Sequence, residues 1–161
     1  MRIAVFSDSH GDLLPMRRLT AREKPDAVFH LGDCTPDAEA LHQAFPGTPL
    51  YNVAGNNDHR ADVPLTMTLE LEGVKLVLTH GHLFGVHAGY DRLLRYAAAQ
   101  GAQAALFGHT HSAFCERREG VWLINPGRAA KGWLSMSAPS CGILTLEQGR
   151  LDWKFVSLED F

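Results

Sequence analysis

The chain has 161 residues, of which 45% are hydrophobic, and its 15 basic and 18 acidic side chains give a formal net charge of −3. This length predicts one domain, spanning residues 1–161, that can bury a core without the help of disulfide bonds. The acidic balance argues against an extended surface for binding nucleic acid.

The cysteines and the N-terminus indicate the cellular compartment. Cys34, Cys115 and Cys141 are odd in number, widely separated and without a CxxC pair, which argues against a disulfide framework. The N-terminal residues reach the charged Asp8 without the apolar segment of a signal peptide, and no later apolar run has the length of a membrane span. We therefore expect a cytoplasmic protein with no membrane partner.

The first third of the chain predicts strands that alternate with helices. Strands are expected at residues 3–6, 27–31 and 50–54, and each is followed by polar residues and glycine. Asp12 is expected to cap the first helix. Thr35 is expected to cap the second helix, with Pro36 as its first helical residue. This alternation is typical of parallel strands joined by helices.

The pattern changes after residue 65. Apolar segments at 66–71 and 74–79 flank Glu72-Gly73, which predicts a tight antiparallel hairpin. A helix is expected over 90–100, and the remaining predicted strands are 104–107, 114–117, 121–125, 142–146 and 151–156. Early βα units followed by hairpins predict an α/β sandwich, in which two sheets pack together and helices flank them.

Side chains that can bind metal stand directly after the predicted strands. In chain order they are Asp8, His10, Asp33, Asn56, His80, His82, His109 and His111. They recur about every 25 residues, so successive strands bring them to the sheet edge at which α/β proteins bind ligands. Carboxylate, imidazole and carboxamide donors without a thiolate cluster favour manganese, iron, zinc, cobalt or nickel. The set exceeds the needs of one tetrahedral ion, which favours two ions bridged by Asp33.

Five segments of the chain resemble a known family. They are Asp8-Ser9-His10, Gly32-Asp33, Gly55-Asn56-Asn57-Asp58, Thr79-His80-Gly81-His82 and Gly108-His109-Thr110-His111, and in this order they are similar to the motifs of the calcineurin-like metallophosphoesterases. The short length and Asn125-Pro126-Gly127 are similar to small members of that superfamily, the YfcE-type phosphodiesterases and the retromer subunit vacuolar sorting protein 29. The resemblance implies a four-layer α/β/β/α sandwich of two mixed sheets flanked by helices.

The resemblance also implies a ligand set for each of two ions. One set consists of Asp8, His10, Asp33 and His111, and the other of Asp33, Asn56, His80 and His109. Two divalent ions, with manganese as the first expectation, would lower the pKa of a bridging water towards about 7, and the hydroxide would attack a small phosphodiester. Asp33, Asn56 and His109 are then expected to act in catalysis through the metals, without a side-chain nucleophile.

The chain departs from the family at Asn57, where many members carry a histidine that protonates the leaving oxygen. Asparagine cannot donate this proton, and the neighbouring His59 is one candidate to replace it. Asp58 and His82 are expected to support the metal ligands. Asn57 is expected either to support them in the same way or to contact the substrate. Arg60 and Arg128 are candidate contacts to phosphodiester oxygens, because a guanidinium can form paired hydrogen bonds with them.

Three functions remain open at this point. The first is a phosphodiesterase acting on a small substrate, and the second is a non-catalytic scaffold of the vacuolar sorting protein 29 kind that binds a protein partner. The third is a nuclease acting on long DNA or RNA, which the acidic net charge disfavours. The complete ligand set favours the enzyme. Arg95 and Tyr96, on an exposed helical face, are candidates for contacts in a homo-oligomer.

Overall fold

The computed structural model describes residues 1–59, 62–131, 138–159 and 161. In these ranges ten strands form two five-stranded sheets. The first sheet contains, in spatial order, β10 (Arg150–Ser157), β9 (Ser140–Glu147), β1 (Arg2–Phe6), β2 (Ala27–His30) and β3 (Leu50–Asn52). The second contains β4 (Thr66–Leu71), β5 (Val74–Thr79), β6 (Ala104–Leu106), β8 (Val121–Pro126) and β7 (Ala113–Arg118).

Both sheets are mixed. Strands β1, β2 and β3 are parallel, as are β5, β6 and β8, whereas β9, β10, β4 and β7 pair in antiparallel fashion. The β4–β5 hairpin has the predicted bounds, and Glu72 and Gly73 in its turn both have positive φ, at 51° and 74°. Two positive φ values are what a two-residue turn needs to match the twist of its strands.

The apolar residues sort into layers because side chains alternate along each strand. Ile3 and Val5 of β1 pack in the core between the sheets with residues such as Leu76 and Leu106. Ala4 and Phe6 point the other way, against α1 (Leu13–Glu23) and α2 (Thr35–Ala44). Helix α3 (Asp91–Ala99) covers the outer face of the second sheet through Leu93, Leu94 and Ala97. The predicted α/β/β/α sandwich is confirmed.

The starts of two helices differ from the sequence prediction. The Asp12 side chain does not cap α1, and its Oδ2 instead accepts a hydrogen bond from the N–H of Lys131 at 2.9 Å. Helix α2 begins at Thr35, one residue earlier than predicted, and Cys34 precedes it with φ 86°. The reason is a cap supplied from a distant loop, since Asp58 Oδ1 accepts the N–H groups of Cys34 and Thr35 at 3.0 and 2.8 Å.

Two further features complete the description of the fold. A short 3₁₀ helix, His82–Phe84, follows β5 and has no counterpart in the sequence prediction. Within the described ranges, the helices lack the length and hydropathy needed to span a bilayer.

Candidate metal centre

The loops after β1, β2, β5 and β6 bring metal-binding side chains to one place. The ligand atoms of Asp8, His10, Asp33 and His111 all lie within 4.8 Å of one another. The two aspartates are buried, whereas the two histidines are partly exposed. This set is the one that the family resemblance implies for the first of two ions.

The backbone at these positions is held in an unfavourable conformation. Five of the candidate ligands have positive φ: Asp8 (55°), His10 (44°), Asp33 (58°), His109 (68°) and His111 (58°). Such values are uncommon for residues other than glycine and cost on the order of 1–3 kcal/mol each. Their clustering in three loops is typical of a functional site, where packing and hydrogen bonds fix a geometry that the local chain disfavours.

The two carboxylate oxygens of Asp8 have different surroundings. Oδ2 accepts hydrogen bonds from the Ser7 hydroxyl at 2.6 Å and from the His109 N–H at 3.1 Å. Oδ1 is buried and accepts no well-formed hydrogen bond from the described residues. It faces three imidazole nitrogens, the Nε2 atoms of His111 at 3.2 Å and of His10 and His80 at 3.9 Å. A cation at this position would satisfy the buried oxygen.

The electrostatics keep Asp8 in its ionised form. Burial raises the pKa of Asp8, but the His111 and His80 rings and the Ser7 hydroxyl outweigh it, so the pKa lies below its ordinary value. The approach of His111 Nε2 to Asp8 Oδ1, at 3.2 Å, is in turn the main reason that the pKa of His111 is raised. An ionised carboxylate is the form that binds a divalent cation.

Asp33 presents one oxygen to each of the two predicted ligand sets. Its Oδ1 lies 3.5 Å from His80 Nε2, and its Oδ2 lies 3.9 Å from His10 Nε2. Asn57 orients the carboxylate, because its N–H donates to Oδ1 at 3.1 Å and its Nδ2 donates to Oδ2 at 2.6 Å. Asp33 is only 2% exposed, so this orientation is fixed within the protein.

His80 is arranged as a metal ligand would be. Its Nδ1 lies 2.8 Å from the Leu31 carbonyl oxygen, which can only accept, so Nδ1 carries the hydrogen. In the neutral ring Nε2 then presents a lone pair, and it faces Asn56 Oδ1 at 3.1 Å and Asp33 Oδ1 at 3.5 Å. Three electron-rich atoms therefore converge on one another, an arrangement that a bound cation would stabilise. The residues present thus fit a divalent metal.

A row of imidazole rings extends from His80. The His109 ring centroid lies 5.0 Å from that of His80, 6.1 Å from that of His82 and 4.5 Å from that of His87. Burial is the main cause that lowers the pKa of His109, and electrostatic repulsion from the His80 and His87 rings adds to it. The lowered pKa favours the neutral form of His109, which is the form that binds metal. Sequence reasoning missed His87, because nothing in its surroundings in the chain indicates that it contacts His109.

Asp58 connects the loops that follow β2 and β3 through hydrogen bonds to backbone N–H groups. In addition to capping α2, its Oδ2 accepts the N–H groups of Asp33 and Gly55 at 2.9 and 2.8 Å. Burial raises the pKa of Asp58, but its backbone hydrogen bonds outweigh burial and lower the pKa below the ordinary value. The Asp58 carboxylate therefore fixes the backbone on both sides of the Asp33 side chain.

Two polar residues to which the sequence analysis assigned no role support the loops of the site. Ser9 Oγ lies 3.1 Å from Nε2 of the fully buried His30 and 3.5 Å from the Asp33 carbonyl oxygen, so it joins the β1 and β2 loops. Asn125 Nδ2 donates to Gly108 O at 2.8 Å and to Thr110 Oγ1 at 3.0 Å, which holds the loop that carries His109 and His111.

The remaining predicted residues are distributed around the centre. Arg128 is buried, at 6% exposure, and its charge partly opposes the rise in the pKa of His111. Asn56 and His59 are exposed, and His82 is half-buried. Arg60 lies outside the described residues. Tyr96 is half-buried and packs on Phe84, with ring centroids 5.0 Å apart, whereas Arg95 is exposed.

The family follows from this fold and from a direct match. The model of the calcineurin-like phosphoesterase superfamily domain matches residues 1–149, and the chain therefore belongs to this family. The matched range contains every candidate metal ligand, and the resemblance read from the five motifs is confirmed.

Individual relatives carry related names. The chain is 31% identical over 157 residues to the probable metallophosphoesterase YsnB of Bacillus subtilis strain 168, an alignment that covers 96% of this chain and 90% of that protein. It is 29% identical over 153 residues to the phosphodiesterase YfcE of Escherichia coli K12, with coverage of 79% and 78%.

Solved structures share the architecture. A predicted phosphoesterase from Streptococcus pneumoniae TIGR4 superposes with a TM-score of 0.81 at 29% identity, covering 98% of this chain and 90% of that one. Vps29 from Entamoeba histolytica, solved in complex with zinc, superposes with a TM-score of 0.78 at 20% identity, covering 99% and 100%. The second likeness shows the shared fold.

Proposed function

We propose that this protein is a dinuclear metal-dependent phosphodiesterase that hydrolyses a small phosphodiester. The observation that carries the proposal is the convergence of the Asp8, His10, Asp33 and His111 ligand atoms within 4.8 Å, with Asp33 also facing His80. The family is one of phosphoesterases, and the relative YfcE is named a phosphodiesterase, which supports this reaction class.

In the proposed site Asp33 would contribute to the binding of both ions. Asp8, His10 and His111 would hold one ion together with Asp33, and Asn56, His80 and His109 would hold the other together with Asp33. The donors are carboxylate, imidazole and carboxamide groups, which suit manganese and also iron, cobalt, nickel or zinc. When bound, two such ions supply an activated water as nucleophile and neutralise charge on the phosphoryl oxygens.

The protein groups around the ligands serve to orient them. The Leu31 carbonyl holds His80 in the tautomer that leaves Nε2 free to bind, and Asn57 fixes both oxygens of Asp33. Ser7 and the His109 N–H occupy Asp8 Oδ2, so that Oδ1 alone faces the imidazoles. Groups of this kind reduce the rearrangement required when metal binds, and their loss typically lowers metal affinity 10- to 100-fold.

The chain offers no histidine at position 57 to protonate the leaving group. The Asn57 amide is hydrogen-bonded to Asp33 and has no acidic proton to donate. General acid catalysis contributes typically about 10²- to 10⁴-fold, so we expect the enzyme to prefer esters with good leaving groups. His59 is the candidate for this role in the same loop, and it is exposed.

Hydrolysis by metal-stripped protein tests this function. With bis(p-nitrophenyl) phosphate as substrate, we expect turnover only when manganese is added and its loss in Asp33→Ala. Asp62→Ala, which removes an exposed carboxylate from the neighbouring loop, is the matched control and is expected to retain activity. Inactivity with manganese, cobalt, nickel and zinc would refute the enzyme and favour the protein-binding scaffold.

A further inference from the structure

A cavity of about 290 Å³ lies beside the segment that follows β5. Its wall includes Phe84, Gly85 and Ala88 from this segment and Asp91, Arg92 and Arg95 from the start of α3. Neither the metal-ligand candidates nor the proposed phosphodiesterase mechanism accounts for it.

The cavity presents two arginines that are not used elsewhere in the described structure. Arg92 and Arg95 are exposed, and the ion pairs and hydrogen bonds found among the described residues involve neither side chain. The Arg92 guanidinium lies over Gly85, where an added Cβ would stand 3.8 Å from its Nη1. Among the described residues that line the cavity, Asp91 is the one acidic side chain against two arginines, so their net charge is positive. Arginines so placed favour a phosphate group, whose oxygens match the guanidinium geometry.

Hydrogen bonds and packing within the segment order the wall of the cavity. The N–H groups of Phe84, Gly85 and Ala88 donate to the carbonyls three residues before them, at 3.0, 3.2 and 2.9 Å. Val86, in the middle of the segment, is 2% exposed and packs close to Gly81. A wall held by its own contacts reduces the ordering cost of binding a ligand.

The cavity adjoins the candidate metal centre. His87 contacts the His109 ring at a centroid distance of 4.5 Å, and the next residue, Ala88, lines the cavity. His87 and Ala88 are consecutive in the chain, so the cavity begins next to the residue that contacts the candidate ligand His109. A substrate held at the centre can therefore extend towards the cavity.

We propose that Arg92 and Arg95 bind a second phosphate group of the substrate, an inference that rests on the proposed function. The substrate is then a small phosphodiester that carries a further phosphate outside the scissile diester. The arginines set substrate preference and take no part in the chemical step.

The test compares two substrates, a dinucleotide with a 5′ phosphate and the same dinucleotide without it. For manganese-loaded wild-type protein, we expect the phosphorylated form to have a KM lower by about tenfold, the effect of one charge-assisted hydrogen bond. Arg92→Ala/Arg95→Ala is expected to abolish this ratio. Arg18→Ala/Arg150→Ala, which removes two exposed positive charges from α1 and β10, is expected to retain it. An equal ratio in all three proteins would overturn the proposal.

A binding measurement separates this proposal from the proposed function. If wild-type protein hydrolyses neither dinucleotide nor bis(p-nitrophenyl) phosphate, the phosphodiesterase is refuted, and inorganic phosphate can be titrated into metal-free ¹⁵N-labelled protein. We expect the Nε–H signals of Arg92 and Arg95 to shift and those of Arg18 and Arg150 to stay. Unmoved Arg92 and Arg95 signals would contradict a phosphate site in the cavity.

Discussion

Asn57 donates two hydrogen bonds to Asp33, one from its backbone N–H to Oδ1 at 3.1 Å and one from its side-chain Nδ2 to Oδ2 at 2.6 Å. The residue that replaces the usual histidine of the family therefore orients the carboxylate proposed to join two metal ions. In this structure Asn57 thus has an orienting role.

Asn57→Ala removes the shorter of these bonds while leaving every proposed ligand in place. We expect the affinity for manganese to fall about tenfold or more, since groups that orient metal ligands have effects of this size. Isothermal titration calorimetry of manganese into metal-stripped protein measures this affinity. His59→Ala, an exposed change in the same loop, is the control, and an unchanged affinity in Asn57→Ala would show that the backbone N–H alone suffices.

Asp58→Asn tests the contact between the loops. The carboxylate accepts four backbone N–H groups, and the amide can serve only those facing its oxygen, so we expect a loss of about 2 kcal/mol in the free energy of unfolding. Denaturant unfolding of metal-free protein measures this loss, and Asp62→Asn is the exposed control. A loss equal to that of the control would contradict the assigned role.

The lowered pKa of Asp58 also predicts how the free energy of unfolding depends on pH. Hydrogen bonds lower the folded-state pKa of Asp58 below the unfolded value of about 3.9, so its stabilisation is complete above that value. It is lost as the pH falls through the lower, folded pKa. The stability difference between wild type and Asp58→Asn should therefore be constant near neutral pH and shrink below about pH 4. A difference that grows on acidification would have the wrong sign.

Gly55→Ala tests how closely the β3 loop approaches Asp33. A Cβ at position 55 would collide with Oδ1 and the backbone nitrogen of Asp33, whereas one at Gly47 meets nothing within 4 Å. We expect Gly55→Ala to cost about 1–3 kcal/mol of stability and to weaken metal binding, and Gly47→Ala to do neither. Thermal unfolding and metal titration report the two effects, and equal behaviour of both variants would refute the close approach.

The layers and the β4–β5 hairpin were predictable because they follow from local pattern, namely alternation along strands and a turn sequence that requires positive φ. The position of the site was also predictable, since parallel strands bring their carboxyl ends to one edge. Contacts between segments far apart in the chain could not be predicted from the sequence. Asp58 caps a helix that starts 23 residues before it, and His87 reaches His109 from a separate loop. Neither contact has a signal in the surrounding sequence.

The central claim is that Asp33 joins two ions, and counting the bound metal tests it most directly. After loading with manganese and removal of free metal, elemental analysis should find about two ions per chain in the wild type, as a two-metal site requires. His111→Ala, which removes a ligand of one ion only, should retain about one ion, and Asp33→Ala should retain none, because its loss disturbs both positions. A single ion in the wild type, or equal retention in Asp33→Ala and His111→Ala, would contradict the shared carboxylate.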